Sequence, residues 1–189
     1  MQTTKNLIVK EVSHIEVDNP YFSNTYIDYI YKAKIDIYGR KFGGILIIKK
    51  IDENSHRVVF TTEFGNKLFD FLFENDTVIN NFVIEELDKK FIVNTLQNDF
   101  KLLVSQKNKV LNQFDSGLED IYKTIDDKQF NFYFINKKSH ILDKIVRTSK
   151  SKVIVEVLFS NVESVIANSI LIHHKNIKLN IGLELFKKD

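Results

Sequence analysis

Residues 61–81 read TTEFGNKLFDFLFENDTVINN, and Phe69, Phe71 and Phe73 stand there at every second position. Side chains of a β-strand alternate between its two faces, so a period of two marks a strand with one aromatic face. Gly65-Asn66 before the ladder and Glu74 to Asp76 after it are turn-forming residues. The same spacing returns at Phe130, Phe132 and Phe134. A fully buried Phe stabilises a fold by roughly 1.5–3 kcal/mol. Two such ladders therefore need either a protein layer over them or an apolar ligand against them.

Outward from the ladder the strand signal continues. From Thr25 the chain reads TYIDYIYKAKIDIYG, with Tyr29, Tyr31, Ala33, Ile35 and Ile37 on one face and Asp28, Lys32, Lys34 and Asp36 on the other. The segment GRKFGG turns the chain, and Gly39, Gly43 and Gly44 fit a hairpin better than a phosphate loop. GILIIKKI, RVVFTTEF, KLFDFLF and TVINNFVI follow with short turns between them. These segments predict a five-stranded antiparallel meander over residues 25–84.

At Glu85 the period changes. Leu87, Phe91, Ile92, Leu96, Phe100, Leu103 and Val104 recur at three- and four-residue steps, which predicts one amphipathic helix over 85–106. Glu85-Glu86 at its start suit the positive end of the helix dipole. Residues 107–128 read as a loop with a short helix around Leu118–Thr124. Strands return over 129–186 as FNFYFIN, SHILDKIVRTS, KVIVEVLFS, VIANSILIHH and IKLNIGLEL, the last alternating cleanly from Ile177 to Leu185.

The chain has 189 residues, one Pro, six Gly and no low-complexity linker, so a single domain over 1–189 is expected, with an N-terminal arm over 1–24. The net charge is +2 and the lysines are scattered, which argues against a nucleic-acid partner. There is no Cys, so no disulfide or thiolate chemistry exists. Ten antiparallel strands cannot stay flat, because twist makes a sheet of that width curl. The expected fold class is mainly β with helix (α+β): a curved antiparallel sheet or incomplete β-barrel of about ten strands, wrapped on one long helix.

This order of elements resembles the LolA/LolB-like group of bacterial lipoprotein carriers and receptors over about Tyr26 to Phe186, especially in VVFTTEFGNKLFDFLFENDTV and SILIHHKNIKLNIGLEL. The likeness is nearest to lipoprotein-type members from Bacteroidetes-type bacteria. The resemblance implies an extracytoplasmic protein at the periplasmic face of the outer membrane, with a signal peptide and an anchoring Cys removed ahead of this chain. It also implies a lipid or acylated lipoprotein as partner and an apolar concave cavity for acyl chains. A monomer without cofactors is expected.

Candidate cavity residues are Tyr29, Tyr31, Phe60, Phe69, Phe71, Phe73, Phe130, Phe132 and Phe134, with the two tyrosines at the mouth and their hydroxyls wet. The competing reading of the ladders is plain core beneath the helix. At the level of function the alternative is a structural or interaction scaffold with a filled interior. No enzyme is expected, since the chain has no G-x-S-x-G elbow, no Walker loop and no G-x-G-x-x-G. A hydrolase is kept as the minor alternative, although nothing selects a nucleophile–base or carboxylate pair. His173-His174, adjacent in a strand, point to opposite faces and cannot easily share a metal ion.

Overall fold

The computed structural model describes residues 7–75, 77–150 and 152–186. Residues 1–6 of the expected arm, Asp76 of the expected turn and residues 187–189 lie outside them. Fourteen strands and one helix are present among the described residues. The expected meander is β3 (Asp28–Ile37), β4 (Arg40–Lys50), β5 (Ser55–Thr61), β6 (Lys67–Glu74) and β7 (Thr77–Val83). The expected second set is β10 (Gln129–Asn136), β11 (Leu142–Ser149), β12 (Lys152–Glu163), β13 (Ile166–His174) and β14 (Leu179–Leu185).

Four strands come from segments expected to be irregular or helical: β1 (Ile8–Lys10), β2 (Glu16–Asp18), β8 (Lys107–Asp115) and β9 (Glu119–Asp126). The short helix expected near Leu118–Thr124 is instead a hairpin arm. Its Ile121, Tyr122, Thr124 and Ile125 favour extended backbone. Gly117, at φ 88°, turns the chain before it, and the Gly117 N–H donates to Asp115 Oδ1 at 2.6 Å.

One continuous sheet runs β1-β8-β9-β10-β11-β12-β13-β14-β3-β4-β5-β6-β7, with β2 pairing to β8 beside β1, and it does not close into a barrel. Its two halves join where β14 lies antiparallel to β3, Leu179 opposite Ile37 and Leu185 opposite Tyr31. Register shifts at Phe60/Thr61, Asp70/Phe71, Phe134/Ile135 and Arg147/Thr148 add local twist and help the sheet curl. The β8 edge is covered by β1 and β2, whereas among the described residues β7 pairs only with β6.

The helix, α1 (Lys90–Val104), carries the chain from the β7 edge to the β8 edge. It starts five residues later than the periodicity predicts. Residues 84–89 form turns, with the Leu87 and Asp88 N–H groups donating to Ile84 O at 3.0 Å each. Glu85 and Glu86 therefore do not act at the helix start: its first turn has no acidic residue and Lys89 makes no side-chain cap. The buried helix residues Leu96, Phe100 and Leu103 pack on the concave face of the sheet, in one core with Phe60, Phe69 and Phe71.

On the outer face opposite the first ladder, Asp70 is fully buried. Arg57 grips it with two hydrogen bonds at 2.9 and 2.7 Å, and Lys67 Nζ reaches it at 2.8 Å. The Arg57 guanidinium, with Lys67 and Asn81 behind it, holds this carboxyl well below its ordinary 3.8 against the opposing effect of burial. A depressed folded pKa adds stability that is complete above the ordinary value and lost as pH falls through the folded one. Asp70→Asn is therefore expected to lower stability by about 1.5 kcal/mol at neutral pH and to flatten its fall between pH 4 and pH 2. Thermal melts of both proteins across that range check this, and parallel pH curves would show that Asp70 does not govern the acid limb.

Candidate ligand-binding site

The first ladder is core. Phe60, Phe69 and Phe71 are fully buried, and the Phe69 ring lies 4.7 Å from Phe71, 5.4 Å from Phe60 and 5.5 Å from Phe100 of α1. Phe73 is buried at the far end of the same row, beneath the C-terminal end of α1.

The second ladder does not share that face. Phe132 and Phe134 pack with Ile121 and Val146 in a separate cluster, bordered by Phe130, Phe114, Val153 and Leu7. Their strand neighbour Tyr133 points the other way, into the main core. The outer cluster is roofed by lysines, with Lys123 Nζ 3.9 Å from the Phe130 ring and Lys144 Nζ 4.0 Å from the Phe134 ring. The expectation that both ladders line the concave side is thus corrected: alternation fixes one face per strand, and β10 turns its phenylalanines outward.

Tyr29 and Tyr31 do not stand at a wet mouth. Both are buried; the Tyr31 hydroxyl donates to Ala167 O at 2.9 Å, and the Tyr29 hydroxyl accepts from the Asn24 N–H at 3.2 Å. Burial pushes the Tyr31 pKa up.

Polar groups fasten α1 to the opposite wall. His174 Nε2 donates to Asp99 Oδ2 at 2.8 Å, with both side chains buried. Burial raises the Asp99 pKa against the lowering effect of His174. The buried Arg147 donates to Asn131 Oδ1 at 2.8 Å, to Asp126 Oδ2 at 2.7 Å and to Asn98 O of the helix at 3.4 Å. His173 faces outward onto Asn180 Oδ1, so the two adjacent histidines do point to opposite faces. Among the described residues no group of three or more His, Asp or Glu is placed to hold a metal ion.

The apolar opening lies at the start of α1. A cleft of 300 Å³ is lined by Ile37, Tyr38, Arg40, Phe42, Glu86, Leu87, Lys89, Phe91 and Ile92. The β3–β4 turn forms one wall, where Tyr38 and Gly39 take φ of 51° and 83°. The turn before α1 and the first helical residues form the other. Tyr38 and Phe91, each 54% exposed, edge the opening. Arg40 lies 5.9 Å from the Phe42 ring and its Nη1 donates to Glu86 O at 3.5 Å. The volume is at the lower end of small-molecule sites.

None of the nine candidate residues from the sequence lines this cleft. Ile37, Leu87, Phe91 and Ile92 belong to apolar stripes that the sequence shows, but their meeting depends on a hairpin turn and a delayed helix start. Phe42 was hidden because GRKFGG reads as a turn, whereas the turn is confined to Tyr38-Gly39 and Phe42, Gly43 and Gly44 lie in β4.

No family model matches the chain, and no curated protein matches it. Solved structures do. A LolA superfamily protein from Nitrosomonas europaea superposes with a TM-score of 0.55 at 10% identity, over 90% of this chain and 90% of that one. The fold is LolA/LolB-like. A putative outer membrane lipoprotein-sorting protein domain from Vibrio parahaemolyticus matches with a TM-score of 0.50 at 7% identity, over 85% of this chain and 83% of the other. The likeness in fold extends over most of the chain, 90% in the first case and 85% in the second.

Proposed function

We propose that this chain is a non-enzymatic, monomeric binding protein for lipid or an acylated protein, acting in the bacterial cell envelope on the periplasmic side of the outer membrane. The observation that carries the reading is the apolar cleft between the β3–β4 turn and the first residues of α1. An acyl chain would lie on Ile37, Phe42, Leu87 and Ile92, with Arg40 and Lys89 near the opening for its polar end. The LolA-like fold supports this, because one of its solved neighbours is described as an outer membrane lipoprotein-sorting protein domain.

The test is native mass spectrometry after incubation with palmitate. One bound fatty acid per chain is expected, with at least tenfold weaker binding in Phe91→Asp, whose side chain is exposed and whose loss leaves the core intact. Binding unchanged by Phe91→Asp would move the site elsewhere.

A second reading, an interaction scaffold, draws on the outer face. Ile30 lies opposite Ile47, and Ile47 opposite Val59, in one half-buried row across β3, β4 and β5. Phe186, 43% exposed, borders that row at Ile30, and Asp70 of β6 separates its other end from Phe82, 42% exposed. A clean apo mass with no fatty acid taken up would make this reading the leading one.

A further inference from the structure

A second cleft, of 570 Å³, opens by the C-terminal end of α1. Lys50 at the end of β4, the β4–β5 turn, Phe73 and Asn75 form one side. The last turn of α1 and the residues running through Ser105 and Gln106 to Lys107 form the other. Its chemistry is the reverse of the apolar cleft. Lys50, Lys101 and Lys107 line it, and Glu53 is the one carboxylate among its described lining residues. Lys101 is ion-paired to Asp126 at 3.8 Å and adds its charge to the field rather than a free donor.

His56 does not alter that sign. Burial holds its pKa below the ordinary histidine value, and its Nε2 donates to Phe22 O at 3.0 Å, so it stands neutral. The carbonyl end of α1 would repel an anion. However, Leu103 O accepts from Asn19 Nδ2 at 2.9 Å, and Lys101 O accepts from the Ser105 N–H at 3.0 Å. Those two carbonyls are occupied, and the three lysines outnumber the one carboxylate among the described lining residues, while Asp52 and Glu74 border the adjoining hollow that shares Glu53, Asn54 and Asn75.

A separate observation points to a missing acceptor. Gln106 Oε1 accepts from Lys50 Nζ at 2.5 Å, which fixes the orientation of the amide. The other end of that amide, Nε2, is buried and has no hydrogen-bond partner. A buried donor without an acceptor is a standing penalty that an acceptor oxygen removes. The neighbouring Phe73 and Val104 make this wall of the cleft apolar, which strengthens charge-assisted bonds formed against it.

We propose that this cleft binds a phosphate-class oxyanion, held by Lys50, Lys107 and the Gln106 amide. A phosphate group offers several acceptor oxygens, which suits donors that converge from β4 and from the start of β8. The same chemistry is carried by a small phosphorylated solute and by a phospholipid headgroup.

The experiment titrates the full chain with inorganic phosphate and with glycerol 3-phosphate at low salt, followed by amide chemical shifts. In parallel it measures co-sedimentation with phosphatidylglycerol and phosphatidylcholine vesicles. The double variant Lys50→Gln/Lys107→Gln tests the site, and Lys138→Gln, an exposed lysine on another turn, is the control. The expected result is saturable binding centred on Lys50, Gln106 and Lys107, weakened at least tenfold in the double variant, unchanged in the control and reduced by added salt. Binding of the soluble phosphates identifies a free solute as sufficient. Vesicle binding that needs phosphatidylglycerol and the two lysines, without soluble phosphate binding, identifies the headgroup. The proposal is overturned if neither probe binds, or if the double variant binds as the parent does while melting at the same temperature. Inorganic phosphate has no acyl chain, so this outcome is independent of the fatty-acid result.

Discussion

Phe69→Ala is expected to cost about 3–5 kcal/mol of stability, as large-to-small changes at fully buried aromatic positions do. For a chain of this length that is a fall in Tm of roughly 6–20 °C. The physical reason is the company the ring keeps: Phe60, Phe71 and the helix residue Phe100 all stack or tilt against it. Its loss opens a void between sheet and helix that no single neighbour can fill. Phe134→Ala should cost clearly less, because that ring lies in the small outer cluster under a lysine side chain. Urea titration of the two variants decides the matter. If Phe69→Ala proved nearly neutral, the ring would face open space, and the first ladder would be a ligand wall after all.

Gly44→Ala is the second substitution with a large expected effect. A Cβ at this position would lie 1.9 Å from the Thr61 carbonyl oxygen and 2.9 Å from the Thr61 carbonyl carbon. Both atoms are backbone, so no side-chain rotation relieves the overlap. The register shift at Phe60/Thr61 lies beside this approach, and β4 must separate from the end of β5 to admit the methyl group. About 3 kcal/mol is expected, at the upper end of ordinary overpacking. The neighbouring Gly43 is the internal control, since a Cβ there meets nothing within 4 Å. Gly43→Ala should melt within a degree or two of the parent protein. Equal stability of the two alanine variants would show that β4 and β5 do not approach this closely in solution.

Much of the architecture was legible because most strands have one wet and one dry face. Tyr29, Tyr31, Ala33, Ile35 and Ile37 announce β3 by burial alone, and Ile181 and Leu183 do the same for β14. The strands that escaped notice lack that contrast. Every residue of β1 is exposed, and β8 alternates poorly because its pairing with the arm supplies hydrogen bonds rather than a core. The helix was visible from its stripe, but its start was not: Leu87 is buried in a turn and mimics a helical position. The candidate site was harder still. Alternation tells which residues share a face and is silent on what covers that face. Phe69 meets a helix, while Phe132 meets an outer cluster and has its lysine-roofed neighbours on either side. The apolar cleft is assembled from residues 37–42 and 86–92, whose proximity is a product of the fold.

The junction of β14 with β3 has a consequence for how the chain reaches this state. The meander and α1 are built from neighbours in sequence, so their pairing can begin while the rest of the polypeptide is still disordered. The seam from Ile37–Leu179 to Tyr31–Leu185 cannot. It requires the last strand to find the first long one across most of the chain, a closure of the kind that slows folding through loop entropy. Until it forms, two half-sheets each carry an unsatisfied edge. A polypeptide that stopped short of Leu179 would keep both edges permanently, and it would be a substrate for proteases or for aggregation rather than a smaller version of the same protein.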